Sequence, residues 1–145
     1  MINVSSFTIN TPERKVAEYL ECLHKRAFSQ MLNHCQVSYV AKYKGKPVFK
    51  FSNLQSYLKN DLYKYMELKK CEIVGRKEVE EVGNPDVMVD IILKLTYIST
   101  FGTKKRVTEK RLFRVIKEDN QGNPSTFGTW GVNPSSTLRG YDVKS

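Results

Sequence analysis

From Val87 to Lys117 apolar and polar residues alternate along two runs, VMVDIILKLTYIST and RVTEKRLFRVIK, joined by FGTKK. Val87, Val89, Ile91, Leu93, Leu95 and Tyr97 occupy alternate positions, so an extended chain carries all six on one face. Asp90, Lys94, Thr96 and Ser99 face the other way, with Met88, Ile92 and Ile98 among them, so that face is only partly polar. Phe101-Gly102-Thr103 breaks the pattern where a reversal needs the backbone freedom of glycine, and the whole reads as one long β-hairpin. On the second run Val107, Glu109, Arg111, Phe113 and Val115 share a parity. If the apolar members of that set point inward, Glu109 and Arg111 point inward with them unless a bulge shifts the register.

The rest of the chain supplies elements to lay against this hairpin. Residues 1 to 10 read as an extended lead-in. Thr11-Pro12-Glu13 opens a helix, with threonine at the cap, proline in the first turn and a carboxylate at the positive end of the dipole. Val16, Tyr19, Leu20, Leu23 and Ala27 make its apolar stripe, and Phe28, Met31, Leu32 and Cys35 predict a bend and a second helical piece. From Gln36 to Phe51 the period moves toward two, with a turn at Lys44-Gly45-Lys46-Pro47. Ser52 then caps a helix whose stripe runs Leu54, Tyr57, Leu58, Asp61, Leu62, Tyr65 and Met66. Residues 70 to 82 predict a strand, Gly83 to Asp86 a turn, and 125 to 132 a last strand carrying Phe127, Trp130 and Val132. The outcome is one domain over residues 1–145, its core about 11–133, with tails at 1–10 and 134–145.

Composition narrows the class. A chain of 145 residues with 40% hydrophobic and 27% charged residues is globular and large enough to enclose a core. No apolar run reaches the roughly 20 residues that span a bilayer, and MINVSSFTIN has no signal-peptide pattern, so the expectation is a soluble, cytoplasmic chain without a membrane role. Cys22, Cys35 and Cys71 are far apart and show no metal-ligand spacing; they read as free buried thiols, and neither metal nor cofactor is expected. The net charge of +9 gathers at Lys42, Lys44 and Lys46, at Lys69 and Lys70, and at Lys104, Lys105, Arg106 and Lys110. Such clusters can meet nucleic acid phosphates. With 17 lysines to seven arginines and no nucleic-acid-binding motif, a solvated surface is the plainer reading.

Two N-terminal helical segments, a short extended piece, another helix and four long antiparallel strands, taken in that order over residues 11–133, resemble the nuclear transport factor 2-like, or cystatin-like, superfamily. The resemblance implies an α+β fold in which a curved antiparallel sheet of four or more strands wraps around the N-terminal helices as a cone. In that superfamily the cone often encloses a pocket; some members are isomerases or dehydratases and many others only bind or assemble. A pocket here would be walled by Tyr19, Leu23, Phe28, Tyr57, Val89, Leu93, Tyr97, Phe113 and Trp130, with Glu109, Arg111, Tyr39 and Asp61 as polar candidates. His24 and His34 are the candidate bases, although both read as surface groups on helix faces. An enzyme would move a proton with Glu109 or Asp61 while a tyrosine hydroxyl steadied an oxyanion. The plainer account has Glu109 and Arg111 neutralising each other at a sheet edge or turned to solvent by a bulge. The second apolar parity, Met88, Ile92, Ile98, Leu112 and Ile116, would be exposed on a monomer and predicts a homodimer through the sheet face. The expected function is therefore a non-catalytic binding or assembly module, with a pocket enzyme and a nucleic-acid-binding protein as the alternatives.

Overall fold

A computed structural model describes residues 3–25, 27–36, 66–79, 84–99, 103–133 and 141–142. The chain has α1 (Pro12–His24), α2 (Phe28–Met31), β1 (Met66–Glu78), β2 (Met88–Ser99), β3 (Lys105–Glu118), β4 (Thr129–Val132) and β5 (Tyr141–Asp142), with 3-10 turns at Val4–Ser6 and Leu32–His34. This is a mixed α+β arrangement: an open antiparallel sheet in the order β1-β2-β3-β4, and helices against one face. β5 pairs with β3 at Leu112 and Arg111, so β4 and β5 follow one another along the same side of β3. No helix among the described residues is long and apolar enough to cross a membrane.

The hairpin is β2 and β3. Their register runs unbroken from Met88↔Ile116 to Ser99↔Lys105, so directly opposed residues share a face throughout. Val89, Ile91, Leu93 and Leu95 are buried on that inner face, opposite Val115, Phe113, Arg111 and Glu109. α1 lies on the same face: Val16, Tyr19 and Leu20 are fully buried, and the Tyr19 ring meets Phe113 edge-on at 5.9 Å. The Thr11 hydroxyl accepts from the Arg14 amide at 3.2 Å, closing the start of α1 as its sequence predicts.

β1 carries the two irregularities, between Leu68 and Lys70 and between Ile73 and Gly75. Each inserts one residue, so Leu68, Cys71, Ile73, Arg76 and Glu78 face inward at spacings of three and two rather than a constant two. The second insertion leaves Val74 exposed and turns Arg76 toward α1, where its Nη2 donates to Glu13 Oε1 at 2.7 Å and its Nε to Glu13 Oε2.

Several boundaries differ from expectation. The strand expected over 70 to 82 begins at Met66, which the helical stripe had claimed, and ends at Glu78. The last strand is only Thr129–Val132, because Ser125 to Gly128 make a turn. The lead-in and the tail are both fastened. Arg14 Nη1 donates to the carbonyls of Val4 and Phe7, and Tyr141–Asp142 returns to β3. A parallel bridge between Cys35 and Val132, with Gln36 N–H donating to the Val132 carbonyl at 3.0 Å, carries pairing past β4.

A polar cluster on the inner face of the sheet

Along the inner face the rows read, from one end of the hairpin toward its tip, Val89–Val115, Ile91–Phe113, Leu93–Arg111, Leu95–Glu109 and Tyr97–Val107. The first two rows lie under α1 and are apolar. The next three bring a guanidinium, a carboxylate and a phenol onto the same face. Glu109 and Arg111 are inward because the β2–β3 pairing contains no bulge, which corrects the alternative in which a bulge turned them to solvent. They do neutralise one another: Arg111 Nε donates to Glu109 Oε1 at 2.6 Å, with both side chains half-buried. Burial first and then the charge of Glu109 push the Tyr97 phenol above the ordinary value, with Arg111 acting against them. Beside the cluster Leu93, Leu95 and Cys71 are buried.

The structure thus brings together Leu93, Tyr97, Arg111 and Glu109, with Phe113 and Tyr19 one row away. Trp130 is not part of this set. It pairs with Lys117, six residues along β3 from Arg111 and hence about 20 Å away at the rise of a strand, and the Lys117 ammonium lies 5.7 Å from its ring. There Trp130 borders an open cleft of about 390 Å³ together with Ile9, Thr11 and Arg14, which no sequence signal marked. Leu23 and Phe28 belong to α1 and α2 by backbone. Tyr39, Tyr57, Asp61, Lys42, Lys44 and Lys46 lie outside the described residues.

Of the two histidines, His24 is exposed at the end of α1. His34 is half-buried, its Nδ1 3.3 Å from the Lys15 ammonium and 3.8 Å from Glu18 Oε2. Burial, then Lys15, hold its imidazole below the usual range against the pull of Glu18, so it is neutral near pH 7. It stands apart from the inner-face cluster, at the helical end of the fold. No group of three or more candidate metal ligands occurs among the described residues.

The outward face differs from its expected character. Leu112 and Ile116 are buried within the single chain and Met88, Ile92 and Ile98 are half-buried, so the apolar patch expected there is not exposed. What this face presents instead is Lys70, Lys94, Arg106, Thr108 and Lys110, with Lys104 and Lys105 at the tip. Comparison with protein-family models, with curated proteins and with solved structures gives no match to this chain.

Proposed function

We propose that the chain is a non-catalytic binding module of the nuclear transport factor 2-like, cystatin-like kind, its sheet curving around α1 as a cone. Its ligand is a small apolar molecule bearing one anionic group, seated on the inner face beside Tyr97, Glu109 and Arg111. The observation that carries this reading is the unbroken β2–β3 register, which commits a guanidinium to a face otherwise built from Leu93, Leu95 and Phe113. A charge on a core face is costly unless paired, and Glu109 supplies the pairing while the remaining guanidinium hydrogens stay available to an oxyanion. Apolar walls with a few convergent polar groups are the ordinary composition of a small-molecule site. Glu109 already accepts from Arg111, which suits a fixed acceptor better than a base that must meet a substrate proton. Leu112 and Ile116, on the face through which a homodimer was expected, are buried within the single chain, which supports binding over assembly.

The test uses 1-anilinonaphthalene-8-sulfonate, an apolar dye with one sulfonate. The folded chain should bind it at one saturable site, and Arg111→Met should weaken that binding about tenfold, the worth of one charged contact of about 1.4 kcal/mol. Glu109→Gln should retain binding. Unsaturable dye binding, or equal affinity in Arg111→Met, would overturn the assignment.

A further inference from the structure

The outward face of the hairpin carries cations in register. Across β1, β2 and β3 its rows are Glu72–Lys94–Lys110, Lys70–Thr96–Thr108 and Glu67–Ile98–Arg106. Lys94 and Lys110 are directly opposed and exposed, an arrangement that repels across adjacent strands. The acids nearby are committed elsewhere: Glu72 pairs with Lys70 at 2.6 Å and Glu67 with Lys69 at 2.6 Å. Lys94, Lys110 and Arg106 form no ion pair among the described residues, and Lys104 and Lys105 extend the same sign to the tip. Between the cations lies the exposed Thr108 hydroxyl, 3.2 Å from that of buried Thr96, from which it can accept while donating to an anion.

We infer that this face docks the phosphate backbone of double-stranded nucleic acid without reading its sequence. Arg106, Thr108 and Lys110 alternate along β3, so they stand about 6.8 Å apart on one face. A phosphate backbone crossing this face meets these donors in turn, and an anion between Lys94 and Lys110 relieves their repulsion. Lysine suits such contacts, being a point charge without the planar fork that reads base edges. No aromatic residue of β1, β2 or β3 lies in these three rows, which favours a duplex over a single strand. The same rows expose no large apolar group to enter a bilayer. This surface lies on the opposite side of the sheet from the inner-face cluster and does not depend on it.

Fluorescence anisotropy of an end-labelled DNA duplex of random sequence, titrated with the full chain between about 50 and 200 mM salt, tests the inference. Binding should be weak at physiological salt, with Kd about 10⁻⁴ to 10⁻⁶ M and a log–log salt slope near −4, as expected for four or five phosphate contacts. Lys94→Gln/Lys110→Gln should weaken binding about tenfold or more and flatten the slope by about 2. That variant must keep the wild-type unfolding midpoint; Lys104→Gln/Lys105→Gln provides a second reading at the tip, with a smaller loss. Absence of binding at about 50 mM salt, or an unchanged slope in both variants, overturns the proposal. So does displacement of the duplex by polyglutamate at equal charge, which would mark a site for acidic protein, or preferential binding to phosphatidylserine vesicles.

Discussion

Burial leaves His34 neutral in the folded chain at a pH where the unfolded chain still holds its proton. Because its imidazole titrates below the unfolded value of about 6.5, the unfolded state binds more protons as pH falls. Its effect on stability is therefore absent above that pH and grows more unfavourable below it. Urea midpoints should fall between about pH 7 and 5, and His34→Gln should flatten that window while leaving the midpoint at pH 7.5 nearly unchanged. Glu13 acts in a separate, more acid window. Burial alone would raise its carboxyl, but the Arg76 hydrogen bonds and charge bring it below the ordinary value, so its contribution is lost as pH falls through that lowered value. At this scale the sequence is uneven. Thr11 could be recognised as a cap because capping is local chemistry. The partnership of Arg76 with Glu13 could not, since it joins residues 63 apart in sequence through a bulge in β1.

Elements were most legible where one period ran long enough to exclude the other. The alternation from Val87 to Tyr97 matches β2, and Glu109 and Arg111 could be placed inward by parity once the register proved continuous. β1 was expected as a strand but its bounds and inner face were misread, because two inserted residues make its spacing irregular and Met66 continues a helical stripe as readily as it starts a strand. Close backbone approaches are equally silent in sequence. A Cβ on Gly131 would stand 2.7 Å from the Cα and N of Gln36, inside the parallel bridge beyond β4. Gly131→Ala should lower stability by about 1–3 kcal/mol, read from denaturant midpoints, because two backbones must part. Gly75→Ala is the contrast: its Cβ meets nothing within 4 Å, and the change should stay within about 0.5 kcal/mol.

On the scale of the molecule, the three thiols report how tightly the two layers hold. Burial pushes Cys35 and Cys71 up to about 12 and raises Cys22, so none is a thiolate at neutral pH. Cys35 sits where the helical segment meets β4, and Cys71 on β1 at the far side of the sheet. Reaction with a disulfide reagent should be slow in native buffer and rapid in denaturant. Equal native rates at Cys35 and Cys71, followed by peptide mass spectrometry, would mean that both layers open together; faster Cys35 would mean that the helical layer lifts first.

Among the described residues β1 is where the sheet stops, and a bare border of amides and carbonyls invites a neighbouring molecule to zip on. Its two inserted residues break that border into short, mutually rotated lengths, and Lys69, Lys70 and Lys77 stud it with charge. The kinks that aim Arg76 at the helix thereby also blunt this rim against fibril-like pairing.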